Sequence, residues 1–181
     1  RVWDQQFGVF SKTYHVVRYD LRGYGRSSRP EPGKPYSHVD DLEGVINAAG
    51  VRRAALIGNS MGGRVAIDFT LEHPSRVSAL VLAAPGLSGF EGTPEEESER
   101  EAAFADVEHE IEEAVHAGDH QRAEELQLRW LWAPLGMDDP AGARIRQIAF
   151  DNIHELTMDE SGERELDPPA VGRLGEIEAP T

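Results

Sequence analysis

Ser60 stands in a glycine pattern that suits a nucleophile, Gly58-x-Ser60-x-Gly62. The apolar run 54–57 before it predicts a buried strand, and the apolar periodicity that opens at Val65 predicts a helix. A serine between such a strand and helix is typical of a nucleophile elbow, a turn so tight that side chains beside the serine would collide. Glycine removes those side chains and tolerates the backbone angles of the bend.

The same turn is suited to stabilising negative charge. The free N–H groups at the start of a helix point away from its first turn, here towards the Ser60 hydroxyl. Charge that develops on a substrate carbonyl would be stabilised there, and the Met61 N–H is the nearest donor. We therefore predict Ser60 as the nucleophile and the Met61 backbone N–H as an oxyanion donor.

Other glycine motifs fit the stretch less well. In a dinucleotide-binding G-x-G-x-x-G motif, Ser60 would occupy the middle glycine position, and no acidic residue closes a plausible next strand. Gly58 and Gly63 have the separation of a phosphate-binding loop, but Arg64-Val65 supply neither its lysine nor its hydroxyl. An ordinary glycine-rich turn remains the alternative.

The composition of the chain limits the kinds of molecule that it is expected to bind. The 181 residues suffice for a domain with a real core, and the net charge of −15 disfavours nucleic acid and anionic membrane surfaces. The absence of cysteine excludes disulfides and a cysteine nucleophile and is compatible with a reducing compartment, so we expect a cytoplasmic protein. No apolar run approaches the roughly 18 residues of a membrane span.

The order of elements before residue 87 predicts an α/β fold with a mostly parallel sheet flanked by helices. The loop 20–28, with two glycines and a possible charge pair, is interpreted as an internally braced turn. A continuous apolar run at 77–83 predicts a central strand covered on both faces. The predicted elements are helix 3–12, strand 15–19, helix 38–49 capped by Gly50, strand 54–57, helix 61–72 and strand 77–83.

After Pro85-Gly86 the composition turns acidic, and two amphipathic helices near 98–116 and 120–132 are predicted, separated by Gly118-Asp119. An insertion after a strand suggests a cap over the strand ends, with glutamates facing water. We expect domains at 1–87 (core), 88–170 (cap) and 171–181 (return to the core). The cap side chains expected to be buried are Phe104, Val107, Ile111, Leu126 and Trp130.

The histidines predict no metal site. His116 and His120 are four residues apart, but Gly118-Asp119 interrupts the helix that would align them. The segment that starts at His109 fails the H-E-x-x-H zinc pattern at its last position. We therefore expect no metal and no cofactor, and we interpret the seven histidines chiefly as surface residues.

Four segments together resemble the α/β-hydrolase fold family: Trp3-Asp4, His15 to Ser28, Gly58 to Gly63, and Leu80-Val81-Leu82. Their order and spacing match from residue 3 to about residue 87. The resemblance implies a serine hydrolase with residues 88 to about 170 as its cap. A serine at position 60 argues against the haloalkane dehalogenase and epoxide hydrolase branches, and it leaves carboxylesterases, carbon–carbon bond hydrolases and enol-lactonases open.

The resemblance also implies that parts of the catalytic machinery lie elsewhere. In the family, the acid and the histidine of the triad follow the seventh and eighth strands, and Ala179-Pro180-Thr181 resembles the approach to the seventh. The second oxyanion donor follows the third strand, which would precede Arg1. The expectation is an internal fragment of a longer hydrolase, with both triad partners beyond residue 181.

Two functions of different classes fit these observations. The first is a serine-dependent acyl hydrolase of a small-molecule substrate, acting through an acyl-enzyme. The second is a receptor-like protein that binds a small ligand on the same scaffold, because fold alone does not fix function. The cap offers the aromatic residues Trp130 and Trp132 but no readable set of polar recognition groups.

The fragment expectation makes a physical prediction. Strand 15–19 would lack the third strand that joins it to strand 54–57, and each open edge would expose unpaired backbone groups. We expect residues 1–181 alone to be prone to aggregation, poorly cooperative in unfolding and without hydrolase activity. A sharp two-state melt of monomeric 1–181, with ester turnover that Ser60→Ala abolishes, would contradict this.

Overall fold

The computed structural model describes residues 2–132 and 140–181. Its contacts divide the chain into two compact units. The sheet unit comprises 27–91 and 159–181, and the helical unit comprises the residues up to 26 and 92–158. This grouping is not the one drawn from the sequence, since the first 26 residues group with 92–158 and residues 159–170 with 27–91. The assignment of 88–170 as a cap over a substrate site stays a prediction.

Apart from the strand predicted at 15–19, which does not form, and the helix Pro140–Asp151, which was not predicted, the helices and strands follow the predicted order. Short 3₁₀ turns occur at Pro74–Arg76, Ile153–Thr157, Ala170–Gly172 and Leu174–Glu176. The longer elements are α1 (Asp4–Phe10), α2 (His38–Ala48), β1 (Ala54–Ser60), α3 (Met61–Glu72), β2 (Val77–Pro85), α4 (Pro94–His116), α5 (His120–Trp132) and α6 (Pro140–Asp151).

Local capping explains where these helices begin and end. The Ser37 hydroxyl accepts hydrogen bonds from the Val39 and Asp40 N–H groups in the first turn of α2. Gly50 after that helix has a φ of 69°, which a residue without Cβ adopts at little cost. Thr93 and Glu96 form a reciprocal capping box at the start of α4. Gly118, with a φ of 75°, separates α4 from α5, so the predicted break is confirmed.

β1 and β2 form a two-stranded parallel sheet in the sheet unit, which confirms the predicted parallel pairing. Leu56 and Leu80 lie on its buried face. Ile57 and Val81 are 44% and 55% exposed, so the expectation that β2 is covered on both faces is wrong. The apolar run alone could not reveal this, because a strand buried on one side and one buried on both sides can carry the same residues.

α3 is the centre of the sheet unit. Every residue from Val65 to Leu71 is buried, and Phe69 is completely inaccessible to water. Ile67 and Leu71 pack with Leu166 and Ala170 of the returning chain, and the Leu80 N–H donates to the Pro180 carbonyl, 2.8 Å away. The C-terminal segment therefore lies against α3 and β2.

The predicted strand at 15–19 is wrong, since these residues form no β-ladder in the structure. They belong to the helical unit, and Val17 is 49% exposed. A strand exists only where a neighbour accepts and donates its backbone hydrogen bonds. The adjacent β-branched residues Val16 and Val17 indicate the propensity for a strand but cannot supply that neighbour.

The loop after this segment is internally braced, as predicted. The Asp20 carboxylate accepts a hydrogen bond from the Arg26 N–H at 3.1 Å. A Cβ on Gly25, whose φ is 56°, would lie 2.5 Å from that carboxylate. From the other side of the loop, the Asn152 side chain accepts the Gly25 N–H at 2.7 Å, which ties the loop to the end of α6.

α4 and α5 confirm the two predicted acidic helices, and α4 begins four residues earlier than expected. The Phe104 ring lies against the Trp130 ring. The five side chains expected in the interior are half-buried, while Ala114, Ala123 and Leu128 are fully buried. The Trp132 side chain lies outside the described residues. No helix in the described ranges is long and apolar enough to cross a membrane.

Glu124 contradicts the expectation that the glutamates of these helices face water, because it is only 2% exposed. Its Oε2 atom has no hydrogen-bond partner among the described residues. Burial raises the pKa of its carboxyl, since a low-dielectric environment disfavours the charged form. The helical pattern that placed glutamates outside did not identify this one.

Replacing Glu124 should therefore stabilise the protein in a pH-dependent way. Because its pKa is raised in the folded state, Glu124 favours folding below pH 4.5, its ordinary pKa, and that benefit is lost as pH rises through the folded value. Glu124→Gln should raise the melting temperature at pH 7 and have little effect near pH 4. Glu112→Gln, at an exposed position of α4, is the matched control, and equal effects of the two variants would contradict the prediction.

Candidate functional site

Ser60 lies at the junction of β1 and α3 in a backbone conformation that few residues adopt. Its φ is 49° and its ψ is −120°, a region that glycine visits readily and other residues avoid. The side chain is exposed. The predicted strand–turn–helix is confirmed, and the strained angles lift the serine off the regular course of both elements.

Two glycines make this turn possible, and only one of them, Gly58, belongs to the predicted motif. A Cβ on Gly58 would lie 2.3 Å from the Gly62 carbonyl oxygen, and one on Gly63 would lie 2.6 Å from the Pro85 side chain. A Cβ on Gly62 would meet nothing within 4 Å. The expectation that Gly62 relieves a steric collision is therefore wrong, because α3 turns this position away from β2.

The end of β2 contains a bulge that places its backbone against the turn at Ser60. Asn59 pairs with Ala83 but Ser60 pairs with Pro85, so Ala84 is an extra residue, and its φ is 42°. This bulge brings the Gly86 N–H to the Ser60 carbonyl oxygen at 2.9 Å. Sequence reasoning missed the bulge, since only the turn signal of Pro85-Gly86 hinted at an irregular strand end.

The first turn of α3 faces Ser60 with positive potential. Met61 is the first residue of the helix, so its N–H has no intrahelical acceptor, and the aligned peptide dipoles place partial positive charge at this end. The first turn contains no acidic residue that would cancel it. An anion beside Ser60 would therefore be stabilised.

Neither histidine of the sheet unit, His38 or His73, forms a hydrogen bond with Ser60 in the described part of the chain. His73 lies at the far end of α3, and a helix of 12 residues is about 18 Å long. His38 begins α2 and is only 3% exposed, with its ring edge against Tyr36. Burial lowers the pKa of His38, and its Nδ1 atom has no hydrogen-bond partner among the described residues.

Two charged residues of α3 were not singled out from the sequence. Asp68 is 3% exposed and accepts a hydrogen bond from the Ser88 hydroxyl at 2.8 Å, which itself accepts the Ala170 N–H at 3.0 Å. Burial raises the pKa of Asp68, and the Ser88 hydrogen bond partly offsets this. Arg64 pairs with Glu163 at 2.6 Å. Their spacing of four residues in an otherwise apolar helix was the available signal.

No group of three or more His, Cys, Asp or Glu side chains within 2–132 and 140–181 is arranged to hold a metal ion. His116 ends α4 and His120 begins α5. They therefore belong to different helices, as Gly118-Asp119 predicted, and do not share one helical face.

The glycine geometry predicts a sharp contrast among alanine variants. Gly58→Ala and Gly63→Ala should each destabilise the protein by about 2–4 kcal/mol, because the added Cβ meets backbone or proline atoms that cannot move away. Gly62→Ala should be neutral or stabilising by up to about 1 kcal/mol, since alanine favours the helix. Urea unfolding of the three variants measures this. A Gly62→Ala loss as large as that of Gly58→Ala would contradict the assigned roles.

Comparison with known proteins places this geometry in a family. The family model for the alpha/beta hydrolase fold matches residues 2–165. A hydrolase from Pseudomonas aeruginosa superposes over 99% of this chain and 64% of its own, with a TM-score of 0.65 and 28% identity. The protein described as Est816, an N-acyl homoserine lactone degrading enzyme, superposes over 99% of this chain and 67% of its own, with a TM-score of 0.63 and 25% identity.

Curated relatives match a shorter part of the chain. The 2-hydroxymuconate semialdehyde hydrolase of Pseudomonas putida is 41% identical over 75 residues, which are 40% of this chain and 26% of that protein. The putative carbamate hydrolase RutD of Caulobacter segnis is 37% identical over 83 residues, 44% of this chain and 31% of that protein. The matched segments thus span about a third or less of these relatives. Because the family model matches most of the chain, the protein belongs to the α/β-hydrolase fold family.

Proposed function

We propose that the protein is a serine-dependent hydrolase of small-molecule substrates that contain an ester-like carbonyl. The observation that carries this is the backbone of Ser60, which has a φ of 49° and an exposed side chain at a strand-to-helix turn. Strain of this kind costs on the order of 1–3 kcal/mol and persists where the surrounding structure enforces it, often at active sites.

The reaction would proceed through an acyl-enzyme. The Ser60 hydroxyl oxygen attacks the carbonyl carbon while a histidine takes its proton and passes it to the leaving group. The Met61 N–H and the partial positive charge at the start of α3 stabilise the oxyanion. Water then attacks the acyl carbon, the histidine takes a proton from that water, and Ser60 recovers its proton as the acid departs.

The substrate class is proposed at the level of the bond broken. The relatives are named for hydrolysis of a semialdehyde and a carbamate, and a structural neighbour for lactone degradation. What the semialdehyde, the carbamate and the lactone share is a carbonyl group. Carbon–carbon bond hydrolysis and enol-lactone hydrolysis therefore remain variants of the same proposal.

Ser60→Ala tests the nucleophile. In the full-length protein with a short p-nitrophenyl ester, the variant should lower kcat by about 10⁴-fold or more without loss of fold. Ser78→Ala, at an exposed serine of β2, should leave kcat unchanged. Labelling of Ser60 by a fluorophosphonate should be lost in Ser60→Ala alone, and undiminished turnover or labelling in that variant would refute the assignment.

The strain at Ser60 predicts a second, independent result. Ser60→Gly should be more stable than Ser60→Ala by about 1 kcal/mol, because glycine adopts positive φ without a steric penalty and its greater freedom when unfolded offsets only part of that gain. Both variants should be inactive, so a difference in their stability would be independent of catalytic activity. Equal urea midpoints for the two variants would show that the strain is not stored at this residue.

A further inference from the structure

Arg64 and Glu163 form an ion pair that is unusually shielded for this protein. Their side chains are 17% and 15% exposed, and Arg64 Nη2 lies 2.6 Å from Glu163 Oε1. Arg146 and Glu125 have the same residue types and the same separation, but their side chains are 50% and 57% exposed. The two pairs differ in burial, and Arg146 also lies over the Phe150 ring, 4.5 Å from its centroid.

Glu163 is presented from a fixed backbone. The Tyr36 N–H donates to the Gly162 carbonyl at 2.9 Å, and the Arg164 N–H donates to the Tyr36 carbonyl at 2.7 Å. A Cβ on Gly162 would lie 2.5 Å from the Lys34 carbonyl oxygen, so the two segments approach each other as closely as a glycine allows. The carboxylate therefore has little freedom to follow Arg64 if α3 moves.

Arg64 carries this restraint to the turn that holds Ser60. It lies one helical turn after Ser60. A Cβ on Gly86 would lie 3.4 Å from the Arg64 Cβ and 3.6 Å from the Ser60 carbonyl oxygen, and the Gly86 N–H donates to that same oxygen. Arg64, Gly86 and Ser60 are thus in one packed group.

Stability alone does not account for a charged pair here. Removing two charges from water costs free energy, and an apolar pair of similar volume often stabilises a fold at least as well. Arg64 also places positive charge near the positive end of α3, which is unfavourable. Glu163 offsets that charge from outside the helix.

We propose that the Arg64–Glu163 ion pair is a positioning device that fixes the first turns of α3 against segment 162–164 and so holds Ser60 in its reactive geometry. Neither residue touches the reacting atoms. The consequence for catalysis rests on the proposed role of Ser60, whereas the consequence for α3 does not.

The test replaces the pair by apolar residues in the full-length protein, as Arg64→Met with Glu163→Leu. The melting temperature should equal or exceed that of the wild type. Exchange of the Val65 and Ala66 amide hydrogens should accelerate, and fluorophosphonate labelling of Ser60 should slow by about 10-fold. For ester turnover, kcat should fall by the same factor while KM is unchanged.

Arg146→Met with Glu125→Leu is the matched control and should alter none of these quantities. Arg64→Lys keeps the charge and should recover most of the labelling rate. The proposal is overturned if the double variant is labelled as fast as the wild type, if labelling falls only in proportion to the unfolded fraction, or if amide exchange in α3 is unchanged. Absence of labelling at Ser60 in the wild type would refute the proposed function, and amide exchange would still decide the role of the pair.

Discussion

The structure of the sheet unit depends on one backbone constraint, the positive φ of Ser60. A residue with a side chain keeps a positive φ only where the surrounding structure leaves it no other backbone conformation. Gly58 passes under the Gly62 carbonyl, Gly63 passes against Pro85, and the Gly86 N–H binds the Ser60 carbonyl. Each of these contacts is possible only because a particular side chain is absent or a particular residue is bulged.

α3 supplies the rigidity that this constraint needs. A helix buried on all sides cannot rotate without breaking its packing, and the residues from Val65 to Leu71 are all buried. Asp68 and Arg64 add polar links to Ser88 and Glu163, which belong to segments far away in sequence. The serine turn is therefore supported both by apolar packing beneath it and by directed contacts at its side.

The helical unit obeys a simpler rule. Its acidic helices begin and end where capping residues and Gly118 direct, and they pack through a half-buried stripe that includes Phe104 and Trp130. Glu124 departs from that rule because its burial depends on which side of α5 meets its neighbours. A periodic pattern defines an apolar stripe but not its exact width.

The sequence by itself determined the features that depend on local chemistry. Helix ends at Gly50 and Gly118 and the turn at Ser60 follow from residue types within a few positions of each other. The parallel sheet follows from the order of strand, helix and strand along the chain. The tertiary structure decided what depends on distant neighbours. Residues 15–19 have strand propensity but form no β-ladder, and one face of the sheet is exposed at Ile57 and Val81. Arg64 contacts Glu163 only because the chain returns beside α3. No local pattern encodes which remote segment will fill a given contact.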